Sequence, residues 1–216
     1  MNLSQLSNIA IKAARSAGKV IQQYMNDDVK VEKKEGGVSY ASQVVTAVDI
    51  ECEKVILSHL RPTCDEFDVA LLSEETEDDG SRFKEDFFWC IDPMDGTLAF
   101  INKKPGFSVS IALVAKDGTP YIGVVFDPST DTLYHAIKGN GAFKNGSPLK
   151  IKHTNDHLTY VTDRKLKDTP RADEIESLLH EHAKKLGLNG LTEIAGAGSV
   201  LNGILVLENG PACMLK

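Results

Sequence analysis

Apolar residues at the start of the chain recur at intervals of three and four: Leu3, Leu6, Ile9, Ala10, Ala13, Ala14, Ala17, Val20, Ile21 and Tyr24. That period lays one apolar stripe along a helix and predicts an amphipathic helix from about Ser4 to Met25. Val29 to Glu32 alternates and predicts a short strand, and Lys33 to Gln43, with Gly36-Gly37 and many polar residues, predicts a mobile loop. A second helix is expected from near Thr46 to Leu60, ended ahead of Pro62, whose ring cannot continue it.

The pattern then changes to strands. Val69 to Leu72 and Phe87 to Ile91 are unbroken apolar runs, as expected of strands buried on both faces. Ser108–Val114, Tyr121–Phe126 and Thr132–Ile137 follow, separated by Lys116-Asp117-Gly118 and Asp127-Pro128-Ser129. Those separators are turn chemistry, so the three strands should form an antiparallel meander. Asn145-Gly146 predicts a tight type I′ turn. Beyond it come a strand near Thr159–Thr162, a helix from about Arg171 to Leu186, and a strand near Leu191–Ile194. A helix around Ser199–Glu208 leads to a last apolar stretch, Ala212 to Leu215. Helices and antiparallel strands in blocks imply a layered α+β protein. Its metal and phosphate motifs fall in residues 1–150, and a partial C-terminal α/β half occupies 151–216.

Composition narrows the function classes. No run approaches the roughly 20 apolar residues that cross a bilayer, and the N-terminus lacks the pattern of a secretory signal. A cytoplasmic protein without a membrane partner is expected. Cys52, Cys64, Cys90 and Cys213 are scattered without metal-ligand spacing, which predicts reduced thiols, with Cys90 packed in the core. The formal net charge of −7 argues against nucleic acid as a partner. A small phosphorylated substrate stays compatible, because divalent cations can sit between carboxylates and a phosphate.

The chemistry concentrates where the two apolar runs stop. Leu71-Leu72 leads into Ser73-Glu74-Glu75, and Trp89-Cys90-Ile91 leads into Asp92-Pro93-Met94-Asp95-Gly96-Thr97. Carboxylates this close repel unless protonated or bridged by a cation, and Mg²⁺ is the hard ion that suits them. Pro93 favours a sharp exit from the strand, and Gly96 admits a close backbone approach to a ligand. A helix beginning near Gly96 would turn free N–H groups and the Thr97 hydroxyl toward an anion. Read alone, the Asp92–Thr97 string also fits a surface turn. The second carboxylate pair at the end of another apolar strand weighs against that.

Val45-Thr46-Ala47-Val48-Asp49, Ser73-Glu74-Glu75, Trp89 through Thr97, Gly123-Val124-Val125 and Gly139-Asn140-Gly141-Ala142-Phe143 resemble, in order and spacing, the motifs of the inositol monophosphatase superfamily. The resemblance implies a layered α-β-α-β-α sandwich and a Mg²⁺-dependent, Li⁺-sensitive phosphomonoesterase with two to three ions. It implies Glu74, Asp92, the Met94 carbonyl and Asp95 as metal ligands. Asp95, Gly96 and Thr97 would meet the substrate phosphate, and Asp49, Glu74 and Thr97 would be catalytic, with Asp49 accepting from the Thr97 hydroxyl that holds the attacking water. It also implies a possible homodimer. Chains of the superfamily usually carry a further Trp-Asp motif, whereas Trp89 is the one tryptophan here. The expectation is therefore a C-terminal half that is incomplete, and a truncated, catalytically weak metal- and phosphate-binding domain is an alternative to a working enzyme. Ser73 before the glutamate pair inclines the reading to a 3'(2'),5'-bisphosphate nucleotidase over an inositol-1-monophosphatase.

Other polar groups carry less. The pair His153/His157 is read as solvated, and His180/His182, two apart on a predicted helix, do not share a face. Asp78-Asp79-Gly80 is read as a mobile acidic loop near the metal site, and Arg164 and Lys165 as surface residues.

Overall fold

The computed structural model describes residues 1–25, 31–33, 44–151, 155–163 and 165–215. Two compact units divide the chain, Met1–Leu149 and Lys150–Lys216.

Helix α1 (Leu3–Tyr24) opens the first unit, capped by the Asn2 side chain, which accepts from the Gln5 N–H at 3.2 Å. Its buried stripe is mostly small: Ala10, Ala13, Ala14 and Ala17 join Leu6 and Ile21 in full burial. Gly18 faces the Phe126 ring so closely that a Cβ would collide with it. Small residues thus let the helix axis come down on the sheet.

Short strands β1 (Val31–Lys33) and β2 (Val44–Thr46) pair antiparallel. β1 takes in Val31 and Glu32 of the predicted strand and runs on to Lys33. Residues 34–43 of the predicted loop, and Val29-Lys30, lie outside the described residues. β2 was not legible in the sequence, because three residues give too short an alternation.

Helix α2 (Ala47–Phe67) corrects one expectation: it runs through Pro62 instead of stopping before it. Proline removes one helical donor, but the next turn is held by side chains. The Leu60 carbonyl accepts from Thr63 Oγ1 at 2.6 Å and lies 3.6 Å from Cys64 Sγ. Thr63 is also buried and accepts from the Trp89 indole N–H at 2.9 Å. Tertiary contact outweighs the local penalty.

Seven strands form the main sheet: β3 (Val69–Ser73), β4 (Phe87–Asp95), β5 (Ser108–Ala115), β6 (Pro120–Asp127), β7 (Thr132–Ile137), β8 (Gly141–Lys144) and β9 (Ser147–Pro148), in that order. A short helix α3 (Thr97–Ile101) lies between β4 and β5. The meander of β5, β6 and β7 is antiparallel as expected, and β3 alone pairs parallel, to β4. Asn145 and Gly146, with φ of 48° and 78°, make the tight turn between β8 and β9. The expectation of burial on both faces fails for β4. Trp89 and Ile91 are buried, whereas Phe88 and Cys90, pointing the other way, are only half-buried. Cys90 is therefore not a core residue.

In the second unit, β10 (His157–Thr162), α4 (Ala172–Lys185), β11 (Gly190–Ala195), α5 (Ser199–Glu208) and β12 (Ala212–Leu215) follow in order. The sheet is parallel with β10 at its centre, flanked by β11 and β12. Its small core joins Leu158, Tyr160, Leu166, Leu179 and Ala183. The mixed α+β architecture agrees with the fold class read from the sequence.

Candidate active site

Parallel pairing of β3 and β4 brings their C-terminal ends to one edge. Ser73 stands beside Ile91 in register, and the Glu74 N–H donates to the Ile91 carbonyl at 3.1 Å. Glu74 and Asp92, far apart in sequence, thereby become neighbours. Glu74 is exposed and Asp92 half-buried. Burial first, then the charges of Glu74 and Asp95, hold its carboxyl well above the usual carboxylate range, and in its protonated form it hydrogen-bonds Glu74. Asp92 Oδ1 also accepts the Met94 N–H at 3.1 Å, tightening the turn over Pro93.

Between Asp92 and Asp95 the register of β4 against β5 shifts, so Pro93 and Met94 form an irregularity that re-aims the strand end. Gly96 follows with φ of 87°. The place where a Cβ of Gly96 would stand is filled from within the fold. A Cβ there would stand 2.5 Å from the Gly106 carbonyl oxygen and 3.1 Å from Phe107 Cα. Glycine is required by both the positive φ and the packing. Helix α3 does begin just beyond it, at Thr97, and is five residues long.

The Thr97 hydroxyl lies 3.3 Å from Asp49 Oδ1 and 3.1 Å from the Met94 carbonyl. Having one proton, it donates to one of them at a time. Asp49 is 1% exposed, and its Oδ2 accepts the Thr46 N–H at 2.8 Å and the Thr46 hydroxyl at 2.6 Å. Burial pushes the Asp49 carboxyl up, and the bonds from Thr46 and Thr97 oppose that rise without cancelling it. Thr46 with Asp49 is also the capping box of α2. This role of Thr46 was readable from Thr-x-x-Asp ahead of an apolar run but was not drawn from it.

Asp49, Glu74, Asp92, Met94, Asp95, Gly96 and Thr97 all belong to the first unit. Among the described residues no group of three or more His, Cys, Asp or Glu side chains is placed to hold a metal ion without side-chain movement. Two buried hydroxyls beside the carboxylate-bearing strand ends, Ser73 and Ser108, have no hydrogen-bond partner among the described residues. Ser108 pairs in register with Asp95.

The remaining polar groups do other work. Asp78 and Asp79 accept backbone N–H groups of Gly80 and Ser81 at 3.0 and 2.8 Å, and Asp78 also holds Arg82 at 2.7 Å. His157 meets Asp156 at 2.7 Å, and His180 and His182 are exposed on α4. His153 and Arg164 lie outside the described residues, and Lys165 is exposed.

This arrangement can be set against known proteins. The model of the inositol monophosphatase family matches residues 2–204. The chain belongs to that family. Inositol-1-monophosphatase of Bacillus subtilis is 34% identical over 148 residues, which are 68% of this chain and 53% of that protein. Nus factor SuhB of Escherichia coli K12 is 37% identical over 143 residues, 66% of this chain and 51% of the relative. Among solved structures, CysQ from Bacteroides thetaiotaomicron, a bacterial member of the inositol monophosphatase family, superposes with a TM-score of 0.71 at 28% identity. That likeness covers 94% of this chain and 76% of the other. The chain spans about half the length of the curated relatives it matches. Members of the inositol monophosphatase family are metal-dependent phosphatases. No helix among the described residues is long and apolar enough to cross a membrane.

Proposed function

We propose that this inositol monophosphatase family member is a Mg²⁺-dependent phosphomonoesterase of small phosphorylated metabolites. The observation that carries the reading is the meeting of carboxyls at the ends of β3 and β4: Asp92 emerges beside Glu74, and burial first, then the charges of Glu74 and Asp95, push its carboxyl up. Such a group is costly in a metal-free fold and is relieved by a cation. The donors fit a hard ion: carboxylates of Glu74, Asp92 and Asp95, with the Met94 carbonyl next to them, all oxygen. Bound Mg²⁺ would supply charge neutralisation at the phosphate and would make a water on it more acidic than bulk water.

The chain's own residues do the positioning. Asp49, fixed by two bonds from Thr46, accepts the hydrogen bond of the Thr97 hydroxyl and so leaves the Thr97 oxygen lone pairs to accept from an attacking water. Asp95, Gly96 and Thr97 lie at the start of α3, where the N–H groups of Gly96 and Thr97 would meet a phosphate oxygen. Li⁺ competing for one of two to three Mg²⁺ positions would inhibit.

For the substrate, the reading inclines to 3'(2'),5'-bisphosphate nucleotides, converting 3'-phosphoadenosine 5'-phosphate to AMP. Ser73 ahead of the glutamate pair supports it. Inositol 1-phosphate is the second reading, supported by the relative in Bacillus subtilis. Purified protein assayed with both at equal concentration should release phosphate faster from the nucleotide, only with Mg²⁺, and less with added Li⁺. Faster release from inositol 1-phosphate selects the second reading. Release that survives chelation of Mg²⁺ rejects both, and metal binding without any release makes the chain a binding domain.

A further inference from the structure

One carboxyl near the site is given no part in the proposed reaction. Glu53 lies on α2 one helical turn beyond Asp49, so the two share a face of the helix. It is 6% exposed. A carboxyl that deep is expensive unless something specific requires it, since an apolar side chain would fill the space at lower cost. What it meets is the hydroxyl of Thr76, which donates to Glu53 Oε1 at 2.9 Å. Thr76 stands two residues beyond Glu74 on the segment that leaves β3, in a stretch without regular hydrogen-bonded structure.

Two of the bonds along that segment tie it to its neighbours in the fold. The Glu74 N–H is tied to the Ile91 carbonyl, fixing its start against β4. The Thr76 bond to Glu53 fixes it two residues later against α2. We propose that Glu53 is a positioning residue, which, through Thr76, holds the exposed Glu74 in register with the helix that carries Asp49. The pairing rests on the metal reading above for what Glu74 does, but the anchoring itself does not depend on it. Loss of the Thr76–Glu53 bond removes a tie between this segment and the helix that carries Asp49, so more of the order at Glu74 would have to be supplied when the cation binds. Residues that orient a metal ligand in this way change metal affinity by about 10–100-fold when lost.

The test compares Thr76→Val, which keeps shape and removes the donor, with Thr76→Ser, which keeps the donor. Thr76 is surface-exposed, so both should fold. Two quantities are measured: amide hydrogen exchange of residues 74–77 in metal-free protein, and Mg²⁺ affinity by calorimetry. Thr76→Val should speed exchange and weaken Mg²⁺ binding by roughly tenfold, Thr76→Ser should restore both, and Glu53→Ala should reproduce the valine variant. Wild-type binding that Thr76→Val leaves unchanged overturns the role of Glu53 and leaves the metal reading standing. A wild-type protein that binds no Mg²⁺ overturns the metal reading and this role with it. Faster exchange in the valine variant would then show only that the loop is anchored.

Discussion

Asp92 reaches its position because β3 and β4 run parallel, so that the residue after Ile91 emerges beside the residue after Ser73. Burial and the charges of Glu74 and Asp95 then raise its pKa. A folded chain therefore keeps a proton that the unfolded chain has released. By linkage, the contribution of Asp92 to the stability of the metal-free fold is fully present below the ordinary carboxylate pKa and is lost as pH rises toward the raised folded value. Asp92→Asn removes this titration while keeping an acceptor for the Met94 N–H and a donor for Glu74. Metal-free Asp92→Asn should melt several degrees higher than wild type at neutral pH, at about 2–4 °C per kcal/mol for a chain of this size. The difference should shrink in acid; a variant that melts lower at neutral pH would show that Asp92 is not strained there. The carboxylates were legible in the sequence because two apolar runs each end in acidic residues. Their meeting was not, since strand pairing is a long-range property that neither run states. Thr46 was the reverse case, a short-range capping signal present in the string and passed over.

At the scale of elements, the turn from β4 into α3 depends on Gly96 for a reason internal to the fold. Its φ of 87° and the approach of the Gly106 carbonyl leave no room for a Cβ. Gly96→Ala should cost about 2–4 kcal/mol in urea unfolding, strain and overpacking together. A loss no larger than that of an exposed surface substitution would show that the turn can relax. Helix α2 teaches a related lesson. Pro62 reads as a stop in sequence, yet the turn beyond it is kept by Thr63, which serves both the Leu60 carbonyl and the Trp89 indole. Local rules place helix ends well where nothing else competes, as at α1. They fail where a tertiary hydrogen bond repays the broken backbone bond. The alternation along β4 was hidden for another reason. Phe88 and Cys90 are apolar although only half-buried, so the run looked uniform.

For the whole molecule, the site residues named from sequence sit in Met1–Leu149, while Lys150–Lys216 forms a separate small parallel sheet with its own core. The first unit unites a seven-stranded sheet, two long helices and the carboxylates of one strand edge. Membership of the inositol monophosphatase family is consistent with that layout, and CysQ shares its course over 94% of the chain. The central claim is that Glu74, Asp92 and Asp95 jointly take Mg²⁺. Calorimetric titration of the metal-free chain with Mg²⁺ at neutral pH, in two buffers of different ionisation enthalpy, tests it most directly. Wild-type protein should bind and release a proton, because Asp92 must ionise to become a ligand. Asp95→Asn should bind at least about tenfold more weakly. Binding without proton release, or equal binding by the Asp95→Asn variant, would contradict the assignment.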